Sequence, residues 1–549
     1  MENFTIIIFI LAVLISLSAF ADKLRIPNPV LLVLAGLAIG FIPGLPNLTL
    51  DPEIVFLLFL PPLLYDAAFH TSWHDFKTNI KPISALGISL VFLTTTIVAI
   101  AAHSFIPDFS WPLAFLLGAI ISPPDAVAAT GIIKGLRLNK RVITILEGES
   151  LINDASALIA YRYALAASIT GSFVFWQAGL QFLWVAGGGV LVGVVIGYVL
   201  VFIHKKIDNY HIIETSLTLL TPFLSYILAE RVHVSGILAV VSTGLMLAWR
   251  SPEIFAYQTR MRTKVVWDTL VFLLNGFIFI LMGLQLPVII SQLSRYKLTT
   301  LIAYGLIISL VTILVRILWV FAGAYLVKRF SRKKLNPDSD QASKDADDTW
   351  KNVSIVAWTG TRGVISMATA LALPLTLYSG ENFPQRHLII FIAFVVIFVT
   401  LVVQGFSLPT LIRLLGVKLA PADDKEEKEL QLYVVNSTLH FLEDGLYPRP
   451  EARISKELVK KYEQLAGKLA GEISTHARNE EHDEQMPVRT LTAMQKAQIE
   501  IARFQRELLL QVHKEGRFND DAIKQVERDL DIDELKLNQM LPKEEQRAD

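Results

Sequence analysis

Cysteine is absent from all 549 residues. That excludes disulfides, thiolate metal sites and a cysteine nucleophile. Zinc-peptidase chemistry is missing too. There is no His-Glu-x-x-His, and histidines such as His70, His74, His204 and His211 fall mostly between apolar runs or in the C-terminal part. From Ala420 onward there is neither a nucleotide-binding loop nor a metal-ligand spacing. Charge is scarce up to about Val417 and abundant after Lys418, so the formal net charge of zero averages two unlike parts. The first apolar run has only Glu2 before it and no clear cleavage site, so it is not read as a signal peptide. What is abundant is apolar surface. Hydrophobic residues make up 53% of the chain, with a mean hydropathy of +0.49, beyond what a soluble domain of this size carries.

Thirteen apolar runs have the length that spans a bilayer, roughly 18–25 residues. They fall at about 4–20, 27–43, 52–69, 83–105, 112–133, 145–170, 178–203, 214–230, 234–249, 266–290, 298–327, 353–377 and 387–415. Alternate loops hold 21 Lys and Arg against 4 in the opposite set (Arg231, Arg295, Lys297, Arg386). Basic loops stay cytoplasmic, so the N-terminus is expected outside and the C-terminal part inside. A transmembrane domain over 1–417 and a cytoplasmic helical domain over 418–549 follow, with a polar linker at 335–351. The tail reads as helices over 425–444, 451–476, 488–514 and 519–539, with Asn519-Asp-Asp as an N-cap after the Gly516 break. Its apolar spacing fits a bundle that packs on itself or a partner rather than a ligand-sensing site.

The polar groups inside these runs carry the chemistry. Span six contains Glu147-Gly-Glu149-Ser-Leu-Ile-Asn153-Asp154. A charge in hydrocarbon costs at least ~3 kcal/mol on insertion scales, so it tends to be kept for ion or proton work. Glu149 and Asn153 share a helix face, while Asp154 lies about 140° around from Glu149. One carboxylate can face an ion pathway while the other faces a neighbouring helix. Span five contains Ser122-Pro-Pro124-Asp125-Ala126 and, further on, Thr130. Two adjacent prolines remove two N–H donors and break the helix, which is tolerated at membrane depth only beside protein or a water-filled cavity. Asp125 then sets a carboxylate near freed carbonyls, which suits a cation. Span twelve has Gly360-Thr-Arg362-Gly363, an expected second interruption with a fixed positive charge. Arg316 in span eleven needs a buried partner, and Glu149 is the best by charge. Structural pairing is favoured there over direct substrate contact. Arg162 is left open between an interhelical counter-ion and an outer-interface position. Asp66, Asp268 with Asn275, and Glu147 are further mid-span or near-end polar groups without an assigned role.

The two interrupted spans are seven apart. An odd offset requires any repeat relating them to be inverted in the membrane, which points to two six-helix repeats joined by span seven and a site at the midplane. The fold class expected is an all-α polytopic membrane protein of about thirteen helices, with helices five and twelve interrupted and crossing.

The Gly-Glu-Ser-Leu-Ile-Asn-Asp of span six, the Pro-Asp-Ala-Val-Ala of span five and the Arg-Gly-Val-Ile-Ser of span twelve together resemble the monovalent cation:proton antiporter-1 family, over essentially all of 1–417. That family includes the bacterial NhaP-type and animal NHE-type sodium/proton exchangers. The resemblance implies a secondary active transporter, not an enzyme, in which Asp154 alternately binds Na+ and H+. Asn153 stands where electrogenic relatives carry a second Asp, which implies electroneutral exchange. The resemblance also implies that Asp125 lies beside the ion, that Glu149 pairs with Arg316, and that Arg362 sits at the helix crossing. It further implies a homodimer with an elevator-like core, in a bacterial inner membrane and in contact with lipid, needing no cofactor and no nucleic acid. Many relatives have Thr-Asp-Pro in span five; here Pro124-Asp125-Ala126 leaves Ser122 and Thr130 as alternatives for that oxygen. The residues do not separate Na+ from Li+ or K+. A K+-selective antiporter is the alternative, followed by a cation channel and a transporter-derived sensor.

Overall fold

The computed structural model describes residues 2–24, 27–42, 52–125, 140–170, 175–207, 210–293, 295–331, 350–377, 381–416, 424–444, 452–474, 488–516 and 518–539. Among the described residues the structure is helical throughout, apart from one isolated bridge between Thr376 and Asn382. Each of the thirteen apolar runs holds a helix, as long apolar segments must when every backbone group has to be paired internally. Six of these helices, among them Leu298–Ser331 and Arg386–Leu414, are long and apolar enough to cross a membrane. The second half of span five (126–133), Thr130 and most of the 335–351 linker lie outside the described residues.

Chain breaks appear at Pro123-Pro124 and at the glycine-flanked Gly360-Thr-Arg-Gly363, whereas the adjacent Pro61 and Pro62 lie inside the continuous helix Pro52–His70. The helix Trp111–Ile121 stops at Ser122, and residues 122–125 are non-helical. A helix over 350–358 is followed by non-helical 359–363 and then by Val364–Leu371. One feature had no sequence signature. Between Ile80–Ser84 and Val91–Phe105 the chain winds as a π-helix over Ala85–Leu90. Within it, a Cβ on Gly87 would lie 2.7 Å from the Ile152 side chain and 3.2 Å from the Asn153 amide nitrogen. Glycine therefore lets this turn close directly onto the acidic stretch of the helix Lys140–Thr170.

The chain divides into two compact units, 1–71 with 79–250 and 259–419, and 72–78 with 251–258 and 420–549. The second unit thus takes in two short segments that the sequence reading assigned to the transmembrane part. Its helices are Asp424–Asp444, Ala452–Ser474, Val488–Glu515 and Asp520–Gln539. Leu430, Val434, Leu509, Val512 and Ile523 form one apolar cluster, and Leu442, Leu458, Ala497 and Ile501 another. Phe441 and Phe504 stack with centroids 4.2 Å apart. Gly516, at φ +62°, ends the third of these helices with its amide on the Val512 and His513 carbonyls. The turn that follows holds the short helix Trp73–Thr78. Asp520 accepts from Ser72 Oγ at 2.8 Å and from the His74 amide at 3.2 Å, while Ser72 Oγ itself accepts the Asp75 amide. Lys514 Nζ lies 3.4 Å from Glu253.

Candidate functional site

The two interruptions are bonded to each other. The Asp125 amide donates to the Thr361 carbonyl at 2.6 Å, and Thr361 Oγ1 donates back to the Asp125 carbonyl at 3.1 Å. Arg362 ties the loose ends. Its Nε donates to the Ile121 carbonyl at 3.0 Å, its Nη1 to the Gly360 carbonyl, and its amide to Thr400 Oγ1 at 3.1 Å. Ile121 and Gly360 are carbonyls stranded by the breaks, and a buried guanidinium with five donors satisfies them. The Asp125 carboxylate lies against the start of Val364–Leu371, with Oδ2 3.3 Å from the Val364 amide. A side chain on Gly363 would collide with that carboxylate. This is the reason for glycine at the position: the helix start must come close enough to present its amides to an anion.

Helix Lys140–Thr170 closes the site from the side. Asn153 Nδ2 donates to the Pro124 carbonyl at 3.0 Å, an acceptor inside the non-helical stretch 122–125. Asn153 Oδ1 is buried with no hydrogen-bond partner. On the face shared with Asn153, Glu149 is held by Arg316 through both oxygens, Nη2 to Oε2 at 2.9 Å and Nη1 to Oε1. Arg316 also donates through Nε and Nη2 to the Val356 carbonyl, at 3.2 and 3.0 Å, in the last turn before the second break. Both partners of this ion pair are 1% exposed.

Asp154 is different. It is 6% exposed, and its carboxylate makes no hydrogen bond or ion pair among the described residues. The nearby carboxylates of Asp125 and Glu149 both act on it electrostatically. Ser122 is buried below the break, its hydroxyl donating to the Ala119 carbonyl at 3.1 Å, which leaves oxygen lone pairs available.

The structure therefore gathers Asp125, Asn153, Glu149, Arg316 and Arg362 into one bonded assembly, with Asp154 on the same helix as Asn153 and Glu149. It does not bring every polar group there. Asp268 and Glu147 are exposed. Asp66 pairs with His70, one turn further on, at 3.2 Å. Arg162 binds Glu230 and Tyr226. The sequence reading passed over Thr361, Thr400, Tyr226, Glu230 and the buried Glu214, which accepts from Thr259 Oγ1. An acid near the end of an apolar run was signal enough for Glu214 and Glu230; the threonines had none.

Residues 8–414 match the family described as sodium/hydrogen exchanger, transmembrane. An uncharacterized Na+/H+ exchanger of Mycobacterium tuberculosis is 31% identical over 542 residues, covering 97% of this chain and 96% of its own. A sodium, potassium, lithium and rubidium/H+ antiporter of Bacillus pumilus is 32% identical over 456 residues, covering 81% of this chain and 67% of its own. Among solved structures, the sodium proton antiporter MjNhaP1 of Methanocaldococcus jannaschii superposes with a TM-score of 0.58 at 22% identity. It covers 76% of this chain and 100% of that one.

Proposed function

This chain belongs to the transmembrane sodium/hydrogen exchanger family, and from that premise we propose that it exchanges Na+ for H+ at one shared carboxylate, Asp154. The observation that carries the reading is a buried carboxylate that makes no hydrogen bond or ion pair among the described residues, beside two interrupted helices whose other polar ends are satisfied. An ionised carboxylate in that position is costly until a proton or a cation joins it. Occupancy by one excludes the other, so the exchange is obligatory.

The local charges support a one-for-one stoichiometry. Three carboxylates, Asp125, Glu149 and Asp154, stand against two guanidiniums, Arg316 and Arg362. One proton or one Na+ neutralises the remainder, so both loaded forms carry the same charge through the membrane. Glu149 is consumed by Arg316 and serves as a structural member. Asp125, Ser122 and the Asn153 amide oxygen supply further oxygens of the kind hard cations take. The breadth of cations in the Bacillus pumilus relative's name favours a second reading, in which K+ is also carried. The same proposal places a homodimer in a bacterial inner membrane with the N-terminus outside. The 21-to-4 basic bias supports that orientation. Energy comes from the ion gradients, and no cofactor is called for.

The test is dissipation of a pH gradient in proteoliposomes by Na+, Li+ and K+ in turn. Wild type responds to Na+, and Asp154→Asn, correctly folded, loses the response at least a hundredfold. Exchange that survives in Asp154→Asn removes this residue from the mechanism.

A further inference from the structure

Arg162 lies two turns beyond Asp154 on the same helix, toward the end away from the basic loops, here called the outer end. Its guanidinium grips one carboxylate with both arms, Nη2 to Glu230 Oε1 at 2.7 Å and Nη1 to Oε2 at 3.2 Å, and Nη2 also donates to the Tyr226 hydroxyl at 3.2 Å. Glu230 Oε1 is fixed in turn by the Gly236 amide at 3.0 Å. The helix Lys140–Thr170 packs chiefly on Trp111–Ile121 and the π-helical turn, while His211–Arg231, which carries Glu230, packs on Pro52–His70 and Phe175–His204. The two helices have little other contact with each other. The ion pair therefore supplies much of the direct link between two helices that both rest on Pro52–His70 but barely touch each other. Its partners are 34% and 32% exposed, so water reaches the pair and can take over its hydrogen bonds when the two helices part.

The residue beside it completes the picture. Tyr161 is seven positions after Asp154, which at 100° per residue returns it to within about 20° of Asp154's direction. It is buried, and its hydroxyl has no hydrogen-bond partner among the described residues. A buried hydroxyl in that condition is costly and is relieved once water reaches it. Above Asp154, then, the outer half of the helix carries a plug that water would satisfy and a water-accessible tie to a helix it otherwise barely touches.

We propose that Tyr161, Arg162 and Glu230 form the outer gate of the exchange site, Tyr161 blocking the way from Asp154 to the outside and the Arg162–Glu230 pair holding it shut. The gate must open in each cycle if Asp154 is the exchange site, and in that respect it rests on that reading.

The cysteine-free chain gives a background-free test. Leu158→Cys, one turn nearer Asp154 on the same face and leaving Tyr161 in place, is exposed in right-side-out vesicles to a membrane-impermeant methanethiosulfonate from outside. Modification is expected to be slow with the gate intact and at least tenfold faster when Glu230→Ala is added. Tyr161→Ala added to Leu158→Cys is a second variant with the same expectation should Glu230→Ala fold poorly. Equal rates with and without Glu230 overturn the gate. These rates do not depend on transport, so loss of Na+/H+ exchange in the wild type would count against the reading of Asp154 and not against the gate. In a second arm, Arg162→Cys/Glu230→Cys is bridged by a short reducible bis-methanethiosulfonate. Exchange should fall at least tenfold and recover on reduction; undiminished exchange under complete bridging also overturns the proposal.

Discussion

Three carboxylates lie close together at the breaks, and their surroundings separate their roles. Glu149 is fully engaged by Arg316, and Asp125 rests on a helix start. Asp154 has no hydrogen-bonding or ion-pairing group among the described residues to share its charge. Breaking a buried ion pair strands a charge, at a cost of about 3–5 kcal/mol. Arg316→Ala also releases the Val356 carbonyl, so it should destabilise the folded protein by at least that much and lower the detergent-solubilised Tm clearly. An unchanged Tm would show that the pair contributes nothing to stability. At this scale the sequence was informative about which residues matter and poor about what they touch. Asn153, Arg316 and Arg362 stood out as polar groups in apolar runs. Their partners at Pro124, Val356, Ile121 and Gly360 are backbone carbonyls, and a carbonyl leaves no mark in a sequence until the chain break that frees it has a defined geometry.

Among the elements, the helix Lys140–Thr170 carries Glu149, Asn153, Asp154 and the outer Tyr161 and Arg162, so its fit against neighbours governs the site. The π-helical turn at Ala85–Leu90 meets it through Gly87, and such turns recur at functional sites. Gly87→Val forces a branched side chain into Ile152, an overpacking worth about 1–3 kcal/mol. It should cut Na+-driven proton flux at least tenfold while the protein still folds; full flux would mean the close approach is incidental. Both interruptions could be foreseen from Pro123-Pro124 and from Gly360-Thr-Arg-Gly363, because missing donors and missing side chains are local properties. The π turn could not, since Ala-Leu-Gly-Ile-Ser-Leu is ordinary helical sequence. A separate element-scale expectation concerns Asp520 at the start of the last helix. Burial alone would raise its carboxyl. The His513 imidazole 3.4 Å away and hydrogen bonds from Ser72 and the His74 amide outweigh that and hold it well below the usual carboxylate range. A folded value below the unfolded one gives stabilisation that is complete above about pH 4, the unfolded value, and is lost as pH falls through the folded one. Asp520→Ala in the full chain should therefore speed amide exchange in 488–516 and 518–539 at pH 7, with the difference from wild type shrinking in acid. A difference that persists unchanged into strong acid would assign the effect to something other than this charge.

For the molecule as a whole, apolar periodicity and basic-loop bias predicted helices that the structure places on each run, and the fold matches that of a sodium proton antiporter over about three quarters of the chain (76%). What the sequence did not reveal is that 72–78 and 251–258 join the C-terminal helices in a second unit. Contacts such as Ser72 to Asp520 link polar positions hundreds of residues apart and follow no period. Competition of Na+ and H+ for Asp154 is tested most directly by the Na+ dependence of exchange at a series of pH values in proteoliposomes. Competition at one carboxylate predicts that the apparent KM for Na+ rises by about tenfold for each unit of acidification once protons dominate the site, with the maximal rate unchanged. A KM that stays constant while the maximal rate falls would mean that proton and cation bind different groups, and would contradict the claim.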